Sequence, residues 1–251
     1  MKVAVLGCGA IGEVVARALA GGAVPGADLI GVVHRDPADP PGLPVIDTAA
    51  AVRGADLVVE CAGHAALAAT APEVIAAGGD LLVVSIGALT DDDLLAALSA
   101  GPGRVHLCTG AIGGLDVLRA AALMDGGPER VTVTTTKAAS ALLPDRPAPD
   151  GPVELFRGTA REVAARFPRS TNVVAAVALA TGRWDVVEAA VVADPAATLT
   201  RHVIEATGPS GDYRIEIANR PSERTPTTSA ITPYAVLRAV GDLAGAPAVL
   251  R

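Results

Sequence analysis

Apolar and polar residues follow two different periods along this chain, and the switches between them mark its elements. Residues 2–6 (KVAVL) are a short apolar run ending at Gly7, and residues 10–20 (AIGEVVARALA) carry apolar positions at helical spacing. The chain therefore opens as strand, turn, helix. Further strand-like runs follow at 29–33, 56–61 (DLVVEC), 80–86 (DLLVVSI) and 104–107 (RVHL), separated by helical stretches at 65–77 and 91–99. Thr90, with Asp93 three residues later, has the spacing of a capping pair that starts the second of these helices. Strands alternating with helices predict a parallel, doubly wound sheet through about residue 110.

Beyond residue 110 the rhythm changes. A helix is predicted at about 114–124, then a strand at 130–136 in which Val and Thr alternate, then a Pro-rich connection at 144–152. Helical stretches at 158–167 and 172–181 lead to three successive strands at 186–193, 201–206 and 212–218, the last two joined by the turn GPSGD. Such a run predicts a mixed or antiparallel sheet in a separate α+β domain. A final helix at about 230–243 is expected to return to the first domain. The fold class is α/β, with a Rossmann domain over 1–110 joined by the C-terminal segment 230–251, and a catalytic and dimerisation domain over 111–229.

Gly7-Cys8-Gly9-Ala10-Ile11-Gly12 is a GxGxxG placed between a strand and a helix, with another strand following to complete a βαβ unit. The first glycine permits the tight turn, the second lets the backbone approach a pyrophosphate, and the third lets helix and strand pack closely. The helix start offers unpaired N–H groups to the phosphates. In that context the motif is a dinucleotide fingerprint rather than a bare turn, with Ala10 and Ile11 inside the phosphate loop. An NAD-preferring site ordinarily has an acidic residue at the end of the second strand. Here that position reads His34-Arg35, with Asp36 one step later, so Arg35 is expected to receive a 2′-phosphate and NADP to serve beside NAD. Cys61-Ala62 and Ser85-Ile86-Gly87 put small residues at later strand ends, where the nicotinamide and its ribose would approach the backbone. His64, just past a strand, reads as a helix-start residue.

Composition narrows the partners. Hydrophobic residues are 51% of the 251 but aromatics only 2%, so the core must be built from Ala, Val, Leu and Ile. A net charge of -7 leaves no basic surface for phosphate backbones, which argues against nucleic acid. Three scattered cysteines, Cys8, Cys61 and Cys108, form neither a disulfide framework nor a zinc site, and no metal is expected. No apolar run reaches a membrane span of roughly 18 to 20 residues, and a cytoplasmic setting is expected. Only two of the 20 basic residues are lysines. Lys137, at the end of a predicted strand, is therefore a candidate to pair with a substrate carboxylate, as are Arg201 and Arg220.

Several segments together resemble the L-aspartate dehydrogenase family: GCGAIG at 7–12, VVECAGHAA at 58–66, LLVVSIGAL at 81–89, TGAIGGLD at 109–116, the stretch from Phe167 to Ala180, ADPAAT at 193–198, the segment around His202, and IANRP at 217–221. The resemblance implies oxidation of L-aspartate by NAD or NADP to iminoaspartate, which hydrolyses to oxaloacetate and ammonia, or the reverse amination. It implies a homodimer, and a product that feeds NAD biosynthesis or nitrogen metabolism. It puts His202 on the catalytic position and Ala111 and Asn172 on cofactor-contacting positions. By residue type, His202 titrates near neutrality and suits proton transfer, Asn172 alternatively caps a helix, and Asp116 either anchors the loop under the ring or starts a helix. The chain departs from the family pattern at Thr200, at Val203 and at Thr227-Thr228-Ser229. Two alternatives stay open on these grounds: an NAD(P)-dependent imine or carbonyl reductase with a shifted substrate, and a dinucleotide-sensing protein without turnover.

Overall fold

β1 (Lys2–Leu6), β2 (Asp28–Val33), β3 (Leu57–Glu60), β4 (Asp80–Val83) and β5 (Val105–Leu107) form one sheet in the order β2-β1-β3-β4-β5, every pair parallel. The structure is a computed structural model and describes residues 1–35, 41–168 and 172–245. Asp36 and residues 246–251 thus lie outside the described residues. The chain divides into two compact units, one from Met1 to Gly110 together with the segment from Thr232, the other from Ala111 to Ile231.

In the first unit the strands are short apolar runs because both faces are covered. β3 is buried at all four positions. Its helices are α1 (Gly12–Ala20), α2 (Thr48–Gly54), α3 (His64–Ala76), α4 (Asp92–Ala100) and the C-terminal α9 (Thr232–Leu243). Val15 and Leu19 of α1 and Val236 and Val240 of α9 share one core with Val3, Val5, Leu57 and Val59. Burial of these branched side chains, about 1.5–3 kcal/mol each, dominates the unit's stability.

The second unit has the sheet order β10-β9-β6-β8-β7, from β6 (Arg130–Ala138), β7 (Val153–Thr159), β8 (Val187–Asp194), β9 (Thr200–Gly208) and β10 (Gly211–Asn219). β6 and β8 are parallel and the other neighbours antiparallel, so the sheet is mixed. α5 (Leu115–Ala122), α7 (Ala160–Arg166) and α8 (Asn172–Thr181) accompany it, with a single turn α6 (Ala139–Leu142) after β6. β6 alternates strictly between a buried face (Val131, Val133, Thr135, Lys137) and a half-exposed one.

Four details differ from the sequence reading. The capping residue of α4 is Asp91, whose carboxylate accepts from Asp93 and Leu94 N–H at 3.0 and 3.1 Å, while the Thr90 hydroxyl donates to the Gly87 carbonyl at 2.8 Å. The Asp91 carboxylate, one residue later, reaches the free N–H groups directly. β4 stops at Val83 and continues as a 3-10 turn, Ile86–Thr90, because the Ser85 N–H bonds a side chain rather than a neighbouring strand. β7 is an added edge strand whose register shifts between Glu154 and Phe156, which breaks the two-residue period that would have marked it. α2 buries only Ala51, so no apolar stripe announces it; Asp47 caps it, accepting from Ala50 N–H at 2.6 Å.

Candidate active site

The sheet order of the first unit reverses direction between β1 and β3. Open α/β sheets bind ligands outside the carboxyl ends of their strands at such a switch point. The fingerprint occupies that place, and its three glycines have three distinct reasons to be glycine. Gly7 has φ +90°, and a Cβ there would lie 2.6 Å from the Ala62 Cα. A Cβ on Gly12 would lie 2.0 Å from the Gly7 carbonyl oxygen, so the start of α1 packs directly on the turn. Gly9 is exposed with nothing within 4 Å of its missing Cβ, an open cradle in which backbone meets ligand. These residues fit a dinucleotide pyrophosphate. Ala10 and Ile11 complete the loop, and the Gly7 N–H donates to the Val33 carbonyl at 2.9 Å, which sets half-buried His34 and exposed Arg35 beside the turn.

The residue that organises this edge was not singled out from the sequence. Glu60, the last residue of β3, is fully buried. Its Oε1 accepts from the N–H groups of Ala62 and Gly63, both at 2.8 Å, and from the Ser85 hydroxyl at 2.9 Å; its Oε2 accepts from the Ser85 N–H at 2.9 Å. One carboxylate thus ties together the loops after β3 and β4. The sequence signal was an acidic residue closing an otherwise apolar strand, which a fully buried strand does not tolerate unless every lone pair is used. Cys61 follows it, and the thiol is pushed well above its ordinary value, first by burial and then by the charge of Glu60, with Cys108 and Cys8 adding to the effect. The three cysteines, distant in sequence, share one cluster and remain free thiols. Gly87 lies buried in the 3-10 turn, and His64 is the first residue of α3.

In the second unit, chemistry concentrates at one end of the covered sheet face. Thr135 of β6 and His202 of β9 are register partners, and Lys137 lies two residues on, on the same face. Thr135, Lys137, Thr200 and His202 are all buried, at 1 to 4% exposure, beyond an apolar stretch of Val131, Val133, Ile204 and Ala206. His202 Nδ1 lies 3.0 Å from the Thr135 hydroxyl, which fixes the ring and leaves Nε2 for other work. Burial, and then the Lys137 charge, lower the imidazole to about 4, so it is neutral at physiological pH. The Lys137 ammonium donates to the Thr227 carbonyl at 2.8 Å, and burial lowers it to about 8. A buried cation of this kind suits an anionic partner.

The other predicted residues separate. Asn219 closes β10 opposite Thr200, and its side-chain amide donates to the Ala111 carbonyl at 2.7 Å, so Ala111 is fixed to the sheet end that carries His202. Asn172 is the first residue of α8, and Asp116 is exposed in the first turn of α5. Arg201 alternates onto the opposite face of β9 and pairs with Glu216 there, and Arg220 is exposed after β10.

Two family models cover the chain. Residues 7–101 match the homoserine dehydrogenase NAD binding domain, and residues 116–243 match the aspartate dehydrogenase C-terminal domain. The L-aspartate dehydrogenase of Pseudomonas aeruginosa is 35% identical over 98% of this chain and 98% of its own. The chain belongs to the L-aspartate dehydrogenase family. The L-aspartate dehydrogenase of Ruegeria pomeroyi is 40% identical over 74% of this chain and 70% of its own. The crystal structure of aspartate dehydrogenase from Thermotoga maritima shares the fold, with a TM-score of 0.78 and 24% identity over 100% of this chain and 98% of that one. Set against the family pattern, the departures at Thr200 and Val203 are unequal. Thr200 shares the buried face of His202, whereas Val203 alternates to the other side of β9, away from the buried cluster. Thr227 meets Lys137 through its backbone carbonyl, a contact that does not depend on its side chain.

Proposed function

We propose that this protein oxidises L-aspartate with NAD or NADP to iminoaspartate, which hydrolyses to oxaloacetate and ammonia, and that it catalyses the reverse amination. The observation that carries the reading is the buried Thr135–Lys137–His202 constellation in a member of the L-aspartate dehydrogenase family. The nicotinamide would supply, when bound, the acceptor for the hydride that leaves the amino-bearing carbon. Gly7, Gly9 and Gly12, with Ala10 and Ile11, hold the pyrophosphate, and Arg35, exposed at the end of β2, is available for a 2′-phosphate. Cys61, Ala62, Ser85 and Gly87 form the floor beyond them, and Ala111 and Asn172 are assigned to the cofactor by the family pattern.

His202, neutral with Nδ1 turned to Thr135, carries its remaining lone pair or proton at Nε2. As a base it takes a proton there from the substrate amine or from the water that attacks the imine, and returns it in the reverse direction. Lys137 holds a carboxylate of the dicarboxylate substrate. The Lys137 charge is the smaller of the two influences that lower His202, after burial, and a carboxylate paired with Lys137 would offset that part. A cytoplasmic homodimer is part of the same proposal, supported by the family pattern; among the described residues no helix is long and apolar enough to cross a membrane. In His202→Ala, turnover should fall on the order of 100-fold or more while the dissociation constant for the cofactor stays within about twofold. Wild-type turnover in that variant would remove His202 from the mechanism.

A further inference from the structure

We infer that Glu60 is a positioning residue that sets the balance between oxidised and reduced dinucleotide, by fixing the floor of the site and by placing a buried negative charge beneath it; this rests on the dinucleotide reading of the first unit. The geometry supports each half. Three of its four donors are backbone N–H groups, from Ala62, Gly63 and Ser85, on the loops after two adjacent strands. Ala62 is also the residue against which Gly7 of the fingerprint packs, so the carboxylate supports the turn that a pyrophosphate approaches. Glu60 stands at the carboxyl end of β3, one of the two strands flanking the switch point, where ligands of such sheets are received.

The second half follows from the donors themselves. All four are neutral groups that give a hydrogen bond, so the side chain must accept on both oxygens, as a carboxylate does. Its charge is fully buried and, among the described residues, is met by three N–H donors and one hydroxyl. An oxidised nicotinamide carries a positive charge and a reduced one does not. At an assumed separation of about 10 Å and an effective dielectric near 20, a fixed carboxylate would favour a cationic ring over a neutral one by on the order of tenfold. A structural role alone predicts no such distinction, since a loosened floor holds both forms less well.

Glu60→Gln is nearly isosteric but neutral, and it turns an NH2 toward one of the donors. Equilibrium dissociation constants for the oxidised and reduced cofactor, read by cofactor and protein fluorescence, and the melting temperature are measured for wild type, Glu60→Gln and Glu60→Asp. Glu60→Gln should weaken the oxidised form about tenfold more than the reduced form. Glu60→Asp keeps the charge on a shorter arm and should weaken both forms while leaving their ratio near wild type. Equal losses of both forms in Glu60→Gln, or an unchanged ratio, overturn the inference. If Glu60→Gln fails to fold, the neutral Glu60→Ser takes its place, read by the same ratio: a larger loss for the oxidised form upholds the inference and equal losses overturn it. A wild-type protein that binds neither form would instead sink the dinucleotide reading itself.

Discussion

Lys137 and His202 illustrate how a single residue's environment determines its chemistry. Both are bases whose protonated form is a cation, both are buried, at 4% and 3% exposure, and burial lowers both. Lys137 remains protonated below about 8 and loses its proton above that. A dicarboxylate without an amine, such as succinate, isolates the anchoring step from the titration of the substrate amine. Its affinity for wild type should fall as pH rises through about 8, and in Lys137→Met it should be weaker by on the order of tenfold or more and flat with pH. A pH-independent wild-type affinity would remove Lys137 from substrate anchoring. Its singularity as an internal lysine was visible in the sequence, and so was the chemistry of His202. Their proximity was not, because it arises from the register that sets Thr135 opposite His202 across two strands separated by 67 positions.

At the level of elements, the βαβ unit was legible almost to the residue, since a glycine pattern and a buried strand are both local signals. The close contacts add the reason: at Gly12 any side chain meets the carbonyl of Gly7, 2.0 Å from a Cβ. Gly12→Ala should therefore push α1 away from the turn, weakening dinucleotide binding at least tenfold and lowering the melting temperature, checked by binding titration and thermal unfolding. Retained affinity would show that α1 has more slack than these distances allow. What the pattern concealed were elements whose signals are not periodic. β7 is an edge strand with a register shift, and α2 lacks an apolar face. The early end of β4 has a different origin, since the Glu60 side chain takes the hydrogen bond that would have continued the strand. Local periodicity carries no record of a side chain arriving from 25 residues away.

For the molecule as a whole, composition had indicated an aliphatic core and the order of elements two domains, and the two sheets are built in different ways. The first sheet, buried on both faces, presents backbone at its strand ends and suits a cofactor recognised through N–H groups. The second, with one face of alternating residues covered, can turn polar at one end without breaking its hydrophobic stretch, and there it gathers Thr135, Lys137, Thr200 and His202. Three dispersed cysteines converge in the first unit by the same logic, each following a strand of the parallel sheet. The two kinds of site then serve one reaction, the oxidation of L-aspartate. It is tested most directly by following absorbance at 340 nm, where reduced cofactor absorbs, when purified protein meets L-aspartate with NAD or with NADP at alkaline pH. Reduced cofactor should accumulate with L-aspartate, with NADP serving at least as well as NAD, and oxaloacetate and ammonia should form in step. Demonstrated dinucleotide binding without any rise in absorbance on adding L-aspartate would contradict it.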